Sequence, residues 1–271
     1  MLTINNNYSA AIALQNLNVT NRELEKTQTR LNTGQKVASA KDDAAFYGIA
    51  EMQRGEISGL IAVQGALSNG ESILDVAMAA GQQISSLLNE MYKKAIAATD
   101  ETLSTDQRAA LSNDYVSLRD QIENIVANAE FNGRSLIQNA STAINVLVNT
   151  DGGAITVSAQ DLSATGLGVL SNDLTNLANA SAAVSATDVA IVTLASRLGS
   201  LGASSRSINT QQIFVKALTD SLNNSVSNIV DADLAEESAR LQALQIKQQL
   251  GVQALSIANQ APQAILSLFR S

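Results

Sequence analysis

Residues 60–98 read "LIAVQGALSNGESILDVAMAAGQQISSLLNEMYKKAIAA". Along this stretch apolar or small residues recur at alternating spacings of three and four, which keeps one face of an α-helix apolar. At 1.5 Å per residue the helix is about 60 Å long. The residues that mark this face are Leu60, Val63, Leu67, Gly70, Leu74, Ala77, Gly81, Ile84, Leu88, Met91, Ala95 and Ala98. The stretch predicts a mainly α fold built on one long helix.

Helices with the same spacing are predicted on both sides of this stretch. A first helix ends near Gly34, a residue suited to a C-terminal cap. A third helix ends at the turn signal "FNG", residues 131–133. The first helix is marked by Leu14, Leu17, Leu24 and Leu31, with polar Asn21 and Gln28 at the positions between them. The third is marked by Leu111, Tyr115, Leu118, Ile122, Ile125 and Ala129.

Strand-like sequence is predicted near residues 143–159, where apolar residues alternate on either side of Asp151-Gly152-Gly153. Alternation around a glycine-rich turn indicates a small β-hairpin. Residues 163–187 are rich in Ser, Ala, Thr and Asn, and we interpret them as a reduced loop or small cap. The predicted fold is a long antiparallel helical bundle or coiled coil with a small β-hairpin.

Two further helices are predicted after the loop, over residues 191–229 and 241–269. Their apolar faces are out of phase by one residue, so a break is expected near the acidic segment at residues 231–237. The fourth helix is marked by Ile191, Leu194, Leu198, Leu201, Ser205, Ile208, Gln212, Val215, Leu222, Val226 and Ile229. The fifth is marked by Leu241, Leu244, Gln248, Gly251, Leu255, Ala258, Pro262, Ile265 and Phe269.

Composition narrows the function classes. The chain has 271 residues, a net charge of −8, no Cys and no His. An acidic balance gives no electrostatic footprint for nucleic acid or an anionic membrane surface, so neither is an expected partner. Without the commonest general base and metal ligand, neither an enzyme nor a cofactor is expected. The Asp42-Asp43 pair is interpreted as a turn and a helix N-cap.

The two ends of the chain share an absence of charge. The first charged residue is Arg22, and none occurs between Gln248 and Phe269. The C-terminal stretch is too interrupted by polar residues to be a membrane span. A second apolar row in the last helix, made of Ile246, Leu250, Ile257 and Leu268, lies away from the first. We predict that the ends pair and that further copies of the chain cover the remaining apolar surface, in contacts that build a filament.

Three motifs resemble bacterial flagellin. They are "LNTGQKVASAKDDAAFYGIA" at residues 31–50, "AEFNGRSLI" at residues 129–137, and "LGVQALSIANQAPQAILSLFR" at residues 250–270. They keep the family's order, and the similarity covers about four-fifths of the chain. The short middle is similar to the compact flagellins of alphaproteobacteria, which lack large outer domains.

The resemblance implies a structural subunit of the flagellar filament. Such a subunit serves swimming motility, leaves the cell by flagellar type III export and polymerises extracellularly. The implied partners are other copies of the chain, an export chaperone, the filament cap and the hook-filament junction proteins. Residues 1–40 and 232–271 would form the inner helical domain, the filament core in which the N- and C-terminal helices pair. Residues 41–231 would form an outer-tube domain.

Site residues follow from the same resemblance. Inner-tube helices must hide apolar faces and leave a channel, for which uncharged polar residues are better suited than charges. The predicted channel residues are Gln248, Gln253 and Asn259. The residues predicted for polymerisation and core packing are Leu14, Leu17, Leu24, Leu31, Leu241, Leu244, Leu250, Leu255, Ile257, Ile265, Leu268 and Phe269.

Two alternatives remain open from the sequence. A hook-filament junction protein shares the flagellin ends, but its usual acidic and aromatic tail after Leu-Phe is absent here. A soluble helical binding module or lyase-like enzyme predicts a stable monomer that does not polymerise.

Overall fold

The computed structural model describes the backbone of residues 7–268 and the side chains of residues 7–260. Within that range the helices and strands are α1 (Tyr8–Thr33), α2 (Ala44–Ala98), α3 (Thr105–Asn128), β1 (Ile144–Leu147), β2 (Ala154–Val157), α4 (Leu177–Val230) and α5 (Leu234–Leu268). The predicted mainly α fold with a small hairpin is confirmed. Two units are distinguished by their contacts: residues 1–55 with 221–271, and residues 56–220. The predicted boundaries were at residues 40 and 232.

Helix α2 carries the core of the second unit along its predicted face. Leu67, Leu74, Ile84 and Leu88 are fully buried. The helix begins at Ala44, because the Asp43 carboxylate accepts hydrogen bonds from the amides of residues 45 and 46, at 3.0 and 3.1 Å. This confirms the N-cap interpretation of the acidic pair.

Three glycines of α2, at positions 59, 70 and 81, let other elements approach the helix closely. A β-carbon at Gly59 would lie 2.6 Å from Thr150 Cγ2, and a β-carbon at Gly70 would lie 2.7 Å from Val146 Cγ2. At Gly81 it would collide with the side chain of Leu198 on α4. Since each spacing is three helical turns, the glycines line one stripe that seats the hairpin and α4.

Local signals define α3 and the turn after it. Ser104 and Gln107 form a capping box at the start of α3. The guanidinium of Arg108 donates to the carbonyl of Ala98, the last residue of α2, and to the carbonyl of Asp100 in the turn that follows. After α3, Asn132 and Gly133 both have positive φ, at 51° and 71°, as the predicted Asn-Gly turn requires.

The hairpin pairs β1 with β2 in antiparallel register, from Ile144 opposite Val157 to Leu147 opposite Ala154. The amide of Val148 donates to the Gly153 carbonyl at 2.9 Å, and Gly152 has a φ of 90°. The predicted glycine-rich turn therefore closes the hairpin.

The polar segment after the hairpin was interpreted as a reduced loop or small cap over residues 163–187, and its second half is instead helical. Only residues 158–176 are irregular, and α4 begins at Leu177. The amide of residue 179 donates to the side chain of Asn176 at 2.8 Å, which caps the helix. The irregular part is itself packed, because Leu162, Val169 and Leu174 are buried.

Helix α4 is unusually apolar. An 18-residue window in it has a mean hydropathy of 1.4 and is 28% buried, so by length and composition alone the helix could cross a membrane. Core helices of soluble proteins meet the same criterion. Its inner face carries the predicted marks, with Leu194, Leu201, Ile208 and Val215 buried.

Candidate functional site

The site is the pair of terminal helices, α1 and α5, which pack against each other. Asn7 begins α1, since its side-chain oxygen accepts from the Ala10 amide at 3.1 Å. Gly34 ends α1 with a φ of 70°, and its amide donates to the Arg30 carbonyl at 2.8 Å. The predicted C-cap and the predicted meeting of the two ends are both present.

Three contacts fix the antiparallel register of the pair. The side-chain amide of Asn7 donates to the Ala258 carbonyl at 2.7 Å. Near the middle, the side-chain amide of Gln248 donates to Asn21 at 2.8 Å. At the other end, an Arg30 guanidinium nitrogen lies 2.8 Å from a Glu237 carboxylate oxygen.

The turn between α4 and α5 holds the end of α1 in place. The amide of Lys36 donates to the Val230 carbonyl at 2.7 Å, and the amide of Ala232 donates to the Gly34 carbonyl at 2.9 Å. Asp233 then caps α5 by accepting from the amides of residues 235 and 236. The predicted break near residue 231 is thus a tight connection between two helices.

We call the shared face of α1 and α5 the seam. Half-buried or buried positions on α5 follow the predicted face, namely Leu241, Leu244, Gln248, Gly251, Leu255 and Ala258. On α1, Leu17, Leu24 and Leu31 lie in the seam as predicted. Leu14 does not, being 49% exposed, and Gln28 is exposed too; half-buried Ala13 and buried Thr27 lie there instead.

The other predicted packing residues lie away from the seam or outside the described side chains. Leu250 is 57% exposed and Ile257 is 68% exposed. With Ile246, which is 58% exposed, they form a row on the opposite side of α5. The side chains of Ile265 and Leu268, and all of Phe269, lie outside the described residues.

The three predicted channel residues do not share one face. Gln248 lies in the seam on Asn21. Gln253 is exposed and continues the row of Ile246 and Leu250, while Asn259 is exposed near the edge of the seam. A separate exposed stripe on α5 is uncharged and polar, and contains Gln242, Gln245, Gln249, Ser256 and Gln260.

A corresponding row on α1 was missed in the sequence. Tyr8, Ile12 and Val19 are 73%, 41% and 40% exposed, on the side of α1 opposite the seam. The absence of charge before Arg22 indicated that this side of α1 is also apolar, but the prediction for α1 was based on its leucines alone. The start of α2 is also exposed at Phe46 and Met52.

Charged groups lie where α1 ends and α5 begins. Glu237 is 7% exposed, and neither its second carboxylate oxygen nor the Arg30 Nε has a hydrogen-bond partner within the described part of the chain. The Ser39 hydroxyl and the amides of Ala38 and Ser39 donate to Asp42 and hold its pKa below the ordinary value. These groups shape turns and ion pairs, and no cluster of metal-ligating side chains occurs among the described residues.

Comparison with known families identifies this arrangement. The model for the bacterial flagellin N-terminal helical region matches residues 4–142, and that for the C-terminal helical region matches residues 184–269. The chain belongs to the bacterial flagellin family. Flagellins are structural proteins, so the predicted absence of enzymatic activity is confirmed.

Flagellins from alphaproteobacteria match the chain from end to end. Flagellin FljK of Caulobacter vibrioides is 49% identical and covers 99% of this chain and 98% of its own length. A flagellin of Brucella melitensis is 36% identical, and flagellin C of Rhizobium meliloti is 30% identical, each with full coverage of both chains. A crystal structure of Bacillus cereus flagellin, at 24% identity, covers 65% of this chain and 94% of its own with a TM-score of 0.43.

Family membership confirms the predicted function and location. The chain is a structural subunit of the extracellular flagellar filament and is secreted through the flagellar export system. Flagellins polymerise with copies of themselves, so the prediction that the chain's partners include other copies of itself is confirmed. The alternative readings as a binding module or an enzyme are not supported.

Proposed function

We propose that this flagellin polymerises through the charge-free, outward sides of α1 and α5. The observation that carries the proposal is the division of α5. Leu244 is 3% exposed in the seam, whereas Ile246, Leu250 and Ile257 on the other side are 57–68% exposed. A helix apolar on two sides needs two partners, and α1 supplies only one.

The second partner in this proposal is another copy of the chain. Each leucine or isoleucine side chain buried in the polymer contributes about 1.5–3 kcal/mol. No charged side chain lies between Gln248 and Phe269, so no charge has to be desolvated within that stretch. In this proposal the unit of residues 1–55 and 221–271 forms the filament core, and residues 56–220 form the outer tube.

The truncation that removes residues 255–271 tests the proposal. Purified full-length chain is expected to give sedimentable filaments when seeded, and the truncated chain is expected to stay in the supernatant. A truncated chain that polymerised like the full-length one would contradict the role of α5.

A channel lining is proposed for the uncharged polar stripe of α5. Its residues Gln245 and Gln249 are exposed and uncharged. Gln253 lies at one border, and on the other side the exposed Val252 separates the stripe from Asn259. The Gln248 side chain is already bonded in the seam, which leaves it unsuited to line a channel. Uncharged amides bind water without attracting or repelling the charged segments of a chain that passes through.

Charge substitutions test the lining. The double substitution Gln245→Glu and Gln249→Glu is expected to shorten the filaments on cells, while Gln64→Glu on the exposed side of α2 leaves filament length unchanged. Filaments of normal length on cells carrying the double variant would refute the channel assignment.

An export chaperone, the filament cap and the hook-filament junction proteins are proposed as further partners. The last helix carries the support for a chaperone, since its exposed apolar row must be covered before polymerisation to prevent premature association. We expect the chaperone to capture the Gln64→Glu variant as it captures the wild-type chain, and to fail to capture the Leu250→Asn variant. Equal capture of both variants would exclude the row as the chaperone's binding surface.

A further inference from the structure

The outward rows of α1 and α5 share one pattern. On α1 the row contains Tyr8, Ile12, Gln15 and Val19, and on α5 it contains Ile246, Leu250, Gln253 and Ile257. Both rows have spacings of four, three and four, both hold three apolar residues and one glutamine, and all eight side chains are exposed.

The two rows of one copy cannot meet each other. They lie on the far sides of α1 and α5, with the seam contacts between Leu17 and Gly251 and between Asn21 and Gln248 separating them. Each row therefore needs a partner from another molecule. Contacts of a row with the same row of a second copy would be isologous and would close into a dimer.

A contact between unlike rows behaves differently. When α1 of one copy packs on α5 of the next, the first copy still has a free row on α5 and the second still has a free row on α1. Each free row can bind a further copy, so the assembly stays open. Open, heterologous contacts are what a filament of identical subunits requires. The family's filament therefore favours the pairing of α1 with α5 over either like pairing.

The direction of this contact follows from the seam. Within a copy α1 and α5 are antiparallel, as the pairs Asn7 with Ala258 and Arg30 with Glu237 show. We take the screw axis of the filament to run along α1 and α5. All copies then keep their helix directions, and α1 of one copy is antiparallel to α5 of its neighbour.

The register follows from the spacing. The order four, three, four reads the same in both directions, so antiparallel rows align in four layers. Tyr8 is then level with Ile257 and Val19 with Ile246. The two middle layers pair Ile12 with Gln253 and Gln15 with Leu250, and they are adjacent, so the two amides can bond to each other. Any shift leaves an apolar residue of each row uncovered.

We propose that the outward row of α1 packs antiparallel on the outward row of α5 of a second copy, with Val19 level with Ile246. This inference rests on the proposed polymerisation through the two helices. The charges of Arg22 and Glu23 begin directly beyond Val19, which limits the contact to the charge-free part of α1.

Disulfide cross-linking tests this register, because the chain has no cysteine. The Val19→Cys variant and the Ile246→Cys variant are mixed with an equal amount of the wild-type chain. The mixture is assembled on filament seeds and then oxidised. A cross-linked dimer is expected in the sedimented filaments but not in the unassembled chains. The pair Tyr8→Cys with Ile257→Cys is expected to behave alike, and the pair Val19→Cys with Ile257→Cys to give no dimer.

The seam supplies a matched control within one copy. A β-carbon at Gly251 would lie 3.9 Å from the β-carbon of Leu17, a distance suited to a disulfide. The double variant Leu17→Cys, Gly251→Cys should therefore cross-link inside a monomer and give no dimer. Filaments in which only Val19→Cys couples to itself, or in which neither matched pair couples, would overturn the register while leaving polymerisation intact. Polymerisation of a Leu250→Asn chain at the wild-type level would instead reject the proposed function, which is polymerisation through the outward sides of α1 and α5.

Discussion

At the scale of single residues, the glycines of α2 determine how closely the second unit packs. Gly70 faces both methyl groups of Val146 and the Ile208 side chain, with no room for a β-carbon. Gly65 has nothing within 4 Å of its β-carbon position. Two glycines in one helix thus have opposite environments, and the helical spacing separates them, since Gly70 lies on the predicted apolar face of α2 and Gly65 does not.

The pair Gly70→Ala and Gly65→Ala tests this difference. Alanine in an open helical position stabilises by about 0.5–1 kcal/mol relative to glycine, so Gly65→Ala is expected to raise the free energy of unfolding. At Gly70 the added methyl overpacks the hairpin, and a net loss of about 1–2 kcal/mol is expected. Urea unfolding of the monomer measures both, and equal effects would contradict the packing described here.

At the scale of the elements, polar residues set the alignment of α1 with α5. The Asn21 amide pair and the Arg30–Glu237 ion pair occupy a seam that is otherwise lined by leucines and small residues. A buried polar contact tolerates few alternative alignments, because a slip would leave its groups without partners.

A double-mutant cycle tests the ion pair between Arg30 and Glu237. Glu237→Ala leaves the Arg30 guanidinium without its carboxylate, at a cost of about 1–2 kcal/mol, less than for a deeply buried pair because Arg30 is 24% exposed in its side chain. The double variant Arg30→Met, Glu237→Ala is expected to lose less than the sum of the two single variants, Arg30→Met and Glu237→Ala. Amide hydrogen exchange along α1 reports the effect, and strictly additive losses would show that the two side chains do not interact.

Large apolar residues made most of the elements predictable. The face of α2, the seam of α5 and the marks of α4 after Ile191 were all identified from leucine, isoleucine and valine at helical spacing. The start of α4 was missed because residues 177–187 are mostly alanine and polar residues, and Leu177 and Val184 alone give little hydrophobic periodicity. The same weakness misplaced the seam of α1 onto Leu14 and Gln28, since Ala13 and Thr27 are small.

At the scale of the whole molecule, the sequence predicted that the two terminal helices pair, and the structure changed which residues of α1 lie in the seam. Charge-free ends indicated paired helices with surface left for other copies, and the outward row of Ile246, Leu250 and Ile257 is exposed as expected. The sequence could not show which α1 residues face outward, because that depends on the phase at which α1 meets α5. The contact of Leu17 with Gly251 sets that phase.

The central claim is that one side of α5 stabilises the monomer and the other side stabilises the polymer. Leu250→Asn and Leu244→Asn separate the two, because the first residue is 57% exposed and the second is 3% exposed. The measurement is the critical concentration for seeded filament growth, taken beside the free energy of unfolding of each monomer.

For Leu250→Asn we expect the free energy of unfolding of the monomer to change by less than about 0.5 kcal/mol, as for a surface substitution. Its critical concentration should rise about tenfold, which corresponds to about 1.4 kcal/mol of lost burial. Leu244→Asn should instead destabilise the monomer by about 2–4 kcal/mol. A Leu250→Asn chain that polymerises at the wild-type critical concentration would contradict the claim.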